Sequence, residues 1–146
     1  MINVGNLLDD KGHNVWSISP EDSVFDTIKL MDEKRVGALA VVENDKLVGI
    51  IYERDYARQV ILKDRTSRET KVKEIMTRPI YFTRTEHTID ECLVIINEHH
   101  IRHLPVLDHN NLVGMISVTD IVNEIIKEQK YAIEQLENNV AWAESY

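Results

Sequence analysis

The sequence predicts a mixed α/β (α+β) protein built from two pseudo-symmetric β-α-β-β-α repeats that pack sheet to sheet. The main observation is an internal duplication: residues 15–61 align with residues 80–126 without a gap, and ten of the 47 aligned positions are identical. A second observation is that each copy combines one apolar stripe of helical spacing with short apolar runs of strand length. A duplication of this size usually builds one body, so we expect any site to occur in pairs at the seam.

Each repeat is expected to begin with a short strand and a helix. In the first repeat the strand is expected at residues 15–19, and residues 20–22, which include Pro20, suit the start of a helix. The apolar positions that follow recur at i, i+3, i+4 and i+7 in both copies: Val24, Thr27, Ile28 and Met31, then Ile89, Cys92, Leu93 and Ile96. Because Cys92 occupies a slot of this stripe, we interpret it as a small core residue.

A hairpin and a second helix complete each repeat. Each hairpin consists of two apolar runs around a polar four-residue turn: residues 39–42 with 47–51, and residues 104–107 with 112–116. The second helix is expected to follow Asp55 in the first repeat and Asp120 in the second. The spacing between Asp and the glycine before it is the same in both copies.

The segments outside the repeats define the expected domain organisation. Residues 63–73 are polar and charged without an apolar period, and we interpret them as a linker. The apolar spacing of residues 72–79 echoes that of residues 4–8, so each half is expected to have a short helical lead-in. The predicted units are residues 1–62 (repeat one with its lead-in), 63–73 (linker), 74–130 (repeat two) and 131–146 (a C-terminal helix extension).

The last helix is expected to be much longer than its counterpart in repeat one. Its apolar positions follow a period close to 3.5 residues, with Gln129 filling one slot: Val122, Ile126, Ile133, Leu136, Val140 and Ala143. Two interpretations remain open. The helix packs on its own domain, or it also meets a partner chain because a helix of this length reaches past so small a body.

Composition argues against several classes of protein. The net charge of −8 disfavours a general nucleic-acid binder or a binder of anionic membranes, because phosphate attracts Lys and Arg. The single Cys92 excludes an internal disulfide and a Cys-based zinc site. No apolar run approaches the ~18 residues of a membrane span, and the first ten residues do not read as a signal peptide. We therefore expect no membrane partner and a cytoplasmic location.

Three segments carry a resemblance to a known family: residues 76–79 (MTRP), 102–108 (RHLPVLD) and 112–120 (LVGMISVTD). In order, spacing and duplication, residues 3–130 resemble a tandem pair of CBS domains, also called a Bateman module. Residues 52–58 (YERDYAR) and the tail at 127–137 are similar to small stand-alone bacterial CBS-pair proteins. The resemblance implies an adenine-nucleotide sensor that forms a homodimer, its two pairs packed through their helices into a flat disc.

In that family a Gly-h-x-Ser/Thr-x-x-Asp motif holds a nucleotide, and repeat two matches it with Gly114, Ser117, Thr119 and Asp120. A carboxylate can accept hydrogen bonds from both ribose hydroxyls, and the N–H groups of a helix's first turn favour phosphate. The alternative for Asp120 is a plain helix N-cap. The resemblance implies that the adenine lies against the other repeat, at Asn14, Val15, Val36, Gly37 and Ala38. The missing Cβ of Gly37 would let a flat base approach the backbone, although it could also be an ordinary loop glycine.

Repeat one departs from the motif. Tyr52 stands where Ser or Thr is expected, and Ala40 replaces the proline of repeat two, while Arg54 and Asp55 remain. Tyr52 could stack on a base or fill the site, so this site is weaker, altered or empty. The resemblance implies that its other wall consists of Pro79, Ile80, Ile101, Arg102 and His103.

Positive charge is required at the phosphate end of either site. Arg102 and His103 precede the second strand of repeat two, and Arg54 and Arg58 lie on the first turns after Tyr52. The planar guanidinium fork suits phosphate. The alternative is that these arginines are solvated or paired with carboxylates. The histidines at 99, 100 and 103 span a helix-to-strand loop without a fixed ligand geometry, so no metal site is expected.

The leading hypothesis is a regulatory module that binds AMP or NAD and acts on an unknown protein in trans, since the sequence shows no output domain. ATP, ADP and S-adenosylmethionine remain open as ligands. The alternative is a structural dimerisation or interaction module whose nucleotide sites are degenerate. An enzyme is not expected, because no nucleophile, general-base pair or metal cluster is placed, and we therefore expect no catalytic residues and no catalytic cofactor.

Overall fold

The structure is a computed structural model that describes the backbone of residues 2–144 and the side chains of residues 2–140. Residues 145 and 146 of the predicted C-terminal extension lie outside the described residues. The elements are, in chain order, α1 (Val4–Lys11), β1 (Ser17–Ile18), α2 (Val24–Lys34), β2 (Ala38–Glu43), β3 (Lys46–Tyr52), α3 (Glu53–Tyr56) continued by a π-helix (Ala57–Ile61), α4 (Val72–Ile75), β4 (Thr83–Arg84), α5 (Ile89–His99), β5 (His103–Asp108), β6 (Asn111–Ser117) and α6 (Val118–Glu144).

Each repeat contains one three-stranded sheet, in the order β1-β2-β3 or β4-β5-β6. The short first strand is parallel to the second strand, and the second and third strands form an antiparallel hairpin. Strands β3 and β6 bring the two sheets into contact. The predicted fold class and the β-α-β-β-α order of both repeats are therefore confirmed.

Both hairpins use turn residues with a left-handed backbone. Asn44 and Asp45 have φ of 51° and 62°, and His109 and Asn110 have φ of 49° and 67°. Two consecutive positive φ values are the signature of a type I′ turn, whose twist matches that of the paired strands. The polar four-residue turns of the sequence thus fix the hairpin register.

The first helix of repeat one begins later than the sequence suggested. Residues 20–22 form a turn, and α2 starts at Val24, because the Ser23 hydroxyl accepts the N–H of Asp26 as an N-cap. Thr88 caps α5 in the same way. The predicted first strand is also shorter, at Ser17–Ile18.

The helical stripes identified in both repeats are largely buried within the chain. Val24 and Met31 are 0% and 2% exposed and belong to the core of repeat one, and Cys92 is 0% exposed in the core of repeat two. The role of Cys92 as a small core residue is confirmed. The sheet beneath α2 covers Val24 and Met31, so the apolar surface that the chain leaves exposed lies on the last helix and not on this stripe.

The two lead-in helices exchange repeats. Helix α1 packs on repeat two, where Val4, Leu7 and Leu8 are buried with Cys92 and Ile96. Helix α4 packs on repeat one, where Val72 and Ile75 join the core of Val24 and Met31. Backbone hydrogen bonds support both crossings, from the Val4 N–H to the His87 carbonyl and from the Val24 N–H to the Thr70 carbonyl. The end of each lead-in therefore lies beside the other repeat's aspartate.

Within the described residues, no helix is both long and apolar enough to cross a membrane.

Candidate functional site

A cleft of about 500 Å³ opens at the seam between the two repeats. One wall comes from the first half of the chain: Lys11, Asn14, Trp16, Arg35, Val36, Gly37 and Ala38. The other wall comes from repeat two: Arg102, His103, Met115, Ser117, Val118, Thr119 and Asp120. Of the nine residues predicted for the Asp120 site, all except Val15 and Gly114 line this cleft.

Asp120 is held in place by a reciprocal cap at the start of α6. The Asp120 Oδ2 accepts the Ser117 N–H at 2.8 Å, and the Ser117 Oγ accepts the Asp120 N–H at 3.1 Å. This is a capping box, in which Ser117 is the N-cap and Asp120 is the third helical residue. Asp120 therefore has a capping role, from the third helical position and not as the N-cap itself. The box fixes the carboxylate at the mouth of the helix's first turn.

Lys11, at the end of α1, closes on the same carboxylate. Its Nζ donates to the Asp120 Oδ2 at 2.6 Å and to the backbone carbonyl of Met115. The two side chains keep 34% and 22% of their surface exposed, so this ion pair stays in contact with solvent. No hydrogen bond from residues 2–140 reaches the Asp120 Oδ1. One carboxylate oxygen is thus open to a ligand, and the other is shared with Lys11.

The two repeated glycines serve packing. A Cβ on Gly114 would lie 2.7 Å from a Leu8 methyl carbon, and a Cβ on Gly49 would lie 2.6 Å from the Met76 sulfur. Each glycine therefore admits a side chain of the exchanged lead-in. Gly37 has more room, because a Cβ there would be 3.4 Å from the nearest atom, the His103 Cε1. Its backbone faces the cleft without a side chain, as a close approach by a flat ligand requires.

Arg102 and His103, which the sequence assigned to the Asp55 side, line the cleft of Asp120. The antiparallel register of β5 and β6 pairs His103 with Ser117, and the Val118 N–H donates to the Arg102 carbonyl at 3.0 Å. Burial lowers the pKa of His103, with the positive charges of Lys11 and Arg102 acting in the same direction and Asp120 opposing them. A lowered pKa favours the neutral imidazole at pH 7.

The cleft is positively charged within an acidic protein. Lys11, Arg35 and Arg102 line it, against the single carboxylate of Asp120. The chain as a whole has a net charge of −8. Arg35 is brought to the rim because it ends α2 in a left-handed conformation, with φ of 55°. This local charge favours an anionic group on a bound molecule.

Trp16 supplies an aromatic surface at the cleft. Its side chain is 39% exposed, which is high for a large apolar group, and the Lys34 ammonium lies 4.2 Å from the ring centroid. The amphipathic indole can offer a face to a planar base.

The Asp55 side has a different environment. Tyr52 is only 6% exposed and belongs to the apolar core, so it fills the space that a smaller Ser or Thr would leave. The Asp55 carboxylate accepts the Tyr52 N–H at 2.9 Å and the Thr77 hydroxyl at 3.0 and 3.2 Å. Desolvation raises the pKa of Asp55 in spite of these bonds, and it raises the pKa of Tyr52 to about 12. Both oxygens of Asp55 are thus engaged within the chain.

The remaining predicted residues lie outside the lining of the cleft. Arg54 lies 4.7 Å from the Tyr52 ring centroid and donates to the His100 carbonyl at 2.5 Å. Arg58 is exposed on the π-helix, Ile101 is buried in the core, and Val15 and Ile80 are half-buried. The partner of Arg54 is thus a backbone carbonyl and not the carboxylate considered as an alternative.

Sequence reasoning missed three charged or aromatic groups of the cleft: Lys11, Trp16 and Arg35. Trp16 precedes the first strand beside the predicted Asn14 and Val15, and this adjacency was an available signal. Lys11 could not be found in this way, because only the crossing of α1 to repeat two brings it to Asp120.

Comparisons with known proteins agree with this architecture. A family model for the CBS domain matches the chain twice, over residues 9–61 and 72–127. The CBS domain-containing protein CBSX3, mitochondrial, of Arabidopsis thaliana is 36% identical over 143 residues, which cover 91% of this chain and 69% of that protein. The solved structure of a signal-transduction protein with CBS domains from Burkholderia ambifaria MC40-6 is 44% identical, has a TM-score of 0.83, and is matched over 87% of this chain and 96% of its own.

A more distant solved structure shares the fold. The CBS domain pair of protein MJ0100, in complex with 5′-methylthioadenosine and S-adenosyl-L-methionine, is 22% identical with a TM-score of 0.77, over 88% of this chain and 98% of its own.

Proposed function

The chain belongs to the CBS-domain family as a tandem pair, and we propose that it is a regulatory module that binds an adenine nucleotide in the cleft between its repeats. The observation that carries this proposal is the charge and composition of the cleft wall. A carboxylate with one open oxygen, an exposed indole and three cations converge in about 500 Å³. These groups match a ribose diol, a flat base and a phosphate. The proposal is one of binding, without catalysis.

The positive charge favours a phosphate-bearing ligand such as AMP or NAD over S-adenosylmethionine and 5′-methylthioadenosine. The MJ0100 pair binds 5′-methylthioadenosine and S-adenosyl-L-methionine, which share the adenosine but carry no phosphate. The sulfonium of S-adenosylmethionine would add a positive charge beside Lys11, Arg35 and Arg102, whereas a phosphate would pair with them. We therefore expect phosphate to distinguish this chain's ligand.

The geometry suggests one orientation for the nucleotide. Asp120 accepts the ribose hydroxyls, with Oδ1 open and Oδ2 released by Lys11. The base lies against the Val36–Ala38 wall with Gly37 at its centre, and Trp16 closes one side. The phosphate meets Arg102 and the Thr119 N–H at the start of α6, because the Val118 and Asp120 N–H groups already donate to the Arg102 carbonyl and the Ser117 Oγ. A dianion beside His103 would raise the pKa of that imidazole, so binding would be accompanied by proton uptake.

Regulation follows from the position of the cleft. A ligand that contacts both walls stabilises the closed seam, by about 2.7 kcal/mol at about 100 times its dissociation constant. This is sufficient to bias a two-state interface. We propose that the occupied module changes how it contacts a protein partner, within a homodimer whose arrangement is parallel or antiparallel.

The second candidate is a structural dimerisation or interaction module, and the Asp55 side favours it locally. Tyr52 fills that position and Thr77 occupies both carboxylate oxygens of Asp55. We therefore propose one functional nucleotide site, at Asp120, with the other side serving to hold the seam together.

Titration calorimetry with AMP, NAD, adenosine and S-adenosylmethionine tests the proposal. Asp120→Asn retains a capping acceptor but loses the charge, and it should weaken AMP binding by about 1.5–3 kcal/mol, the range for bonds to a charged group. The matched variant Asp55→Asn should leave the affinity within about twofold of wild type, since less than about 0.4 kcal/mol is involved. Equal AMP affinity in wild type and Asp120→Asn, or no binding of any of the four ligands, would refute the assignment.

A further inference from the structure

Helix α6 continues well past the folded body. Its first turns contact α1, α5 and β6, and Ile121 is fully buried. From Ile126 to Val140 every side chain is exposed. The segment from 126 to 144 is about 27 Å long at 1.5 Å per residue. The interpretation that the whole helix packs on its own domain is therefore wrong.

An apolar edge runs along α6 and into the projecting segment. It consists of Val122, Ile126, Ile133, Leu136 and Val140, each between 44% and 65% exposed. With Gln129, these residues alternate in steps of four and three, as positions a and d of a heptad do. Ile126, Ile133 and Val140 take position a, and Val122, Gln129 and Leu136 take position d. Such an edge of exposed apolar side chains, on a helix that extends past its own body, indicates a helical partner.

The charges beside the apolar edge identify the partner. Position e holds Lys130 in one heptad and Glu137 in the next, and both side chains are exposed. In an antiparallel pair of helices the two e positions face each other, so Lys130 would meet the partner's Glu137, and by symmetry the contact would occur twice. In a parallel pair each e position faces a g position, and the g residues Ile125, Ala132 and Asn139 carry no charge.

We propose that α6 pairs with α6 of a second copy of this chain as an antiparallel two-helix coil. In this register Ile133 packs against the partner's Leu136 and Leu136 against the partner's Ile133, which places the two-fold axis between them. Gln129 lies opposite the partner's Val140, and its amide reaches the edge of the coil and stays in water. On the side of the coil opposite to Lys130 and Glu137, the small Ala132 faces the partner's Asn139. The folded bodies of the two copies then lie at opposite ends of the coil. The contact between the two helices is therefore separate from the cleft of either copy.

The proposal is tested on the full chain without nucleotide, by sedimentation velocity over a concentration series. The two layers next to the two-fold axis each pair Ile133 of one copy with Leu136 of the other. Leu136→Glu places a charge in both of these layers and should raise the dissociation constant of the coil at least tenfold. Lys130→Glu and Glu137→Lys each create two like-charge contacts and should raise it about three- to tenfold. The double variant restores both pairs with their signs exchanged and should return to within about twofold of wild type.

Two controls make the outcome decisive. Glu134→Lys changes the charge as Glu137→Lys does but lies on the outer face, and it should leave association unchanged. Gln129→Cys should form no disulfide between copies, because the partner's residue 129 is about 16 Å away along the coil axis in the antiparallel register; Cys92 is buried and gives no competing thiol. Association unaffected by Leu136→Glu, no restoration in the double variant, or rapid disulfide formation at residue 129 would overturn the proposal. Unchanged thermal unfolding confirms that each variant is folded.

Discussion

Lys11→Met is the most discriminating change in the cleft, because Lys11 is expected to act oppositely on two ligands. In the free protein its ammonium occupies the Asp120 Oδ2, which a ribose hydroxyl would need. Removing the charge should therefore help a neutral nucleoside to bind. The same ammonium is one of the cations available to a phosphate, so its loss should weaken AMP.

The exposure of the ion pair sets the size of the first effect. Because Lys11 and Asp120 retain 34% and 22% of their side-chain surface, the pair stabilises the free state by about 0.2–1 kcal/mol. Adenosine should then bind roughly one and a half to fivefold more tightly to Lys11→Met. A charge-assisted contact to phosphate is worth about 1.5–3 kcal/mol, so the ratio of AMP to adenosine affinity should fall at least tenfold.

Titration calorimetry of both ligands at one ionic strength measures the ratio. Lys29→Met is the matched control, since Lys29 is an exposed lysine on α2 outside the cleft, and it should change neither affinity. If adenosine binds Lys11→Met no better than wild type, Lys11 does not compete for the ribose oxygen. If the AMP-to-adenosine ratio is unchanged, it does not contact the phosphate.

Three further outcomes are expected. Arg102→Ala should weaken AMP roughly tenfold or more and leave adenosine unchanged in the same calorimetric assay; equal loss of both would place Arg102 at the nucleoside. Because burial raises the pKa of Asp55, the folded state holds this proton more tightly than the unfolded chain, so the stability it contributes is lost as pH rises through the raised pKa. Urea unfolding of wild type against Asp55→Asn should show wild type gaining relative stability as pH falls from about 7 to 4, and a gain in the other direction would contradict the burial effect. Truncation after Gln129 should keep AMP affinity and reduce self-association by light scattering, and unchanged association would remove α6 from self-assembly.

The duplicated pattern predicted the fold because the apolar spacing and the turn residues both agreed with it. The helical stripe through Val24 and Met31 is buried, and the polar turns at Asn44 and His109 adopt the backbone that a two-residue hairpin requires. The helix starts were less predictable. Pro20 suggested one start, but the Ser23 cap, a stronger local signal, determined the observed one.

The cleft was predictable only where pseudo-symmetry and strand register determine it. Ser117 and Asp120 follow from the strand-to-helix junction, and His103 follows from its pairing with Ser117 across the hairpin. Lys11 depends on the exchange of lead-ins, a long-range contact between residues 109 positions apart. No periodicity in the sequence reports such a contact.

The same local design yields two different sites because the residues that reach it from the other half differ. Asp55 and Asp120 each accept the N–H of the residue three positions earlier, at 2.9 and 2.8 Å, so the helix start explains why both repeats contain the aspartate. At Asp55 the exchanged lead-in presents Thr77, whose neutral hydroxyl binds both carboxylate oxygens. At Asp120 it presents Lys11, which takes only one oxygen through a long, flexible and solvent-exposed side chain. The Thr77 hydroxyl leaves no oxygen of Asp55 open to a ligand, whereas a ligand can displace Lys11 from Asp120. The duplicated aspartate alone therefore could not distinguish a structural site from a binding site.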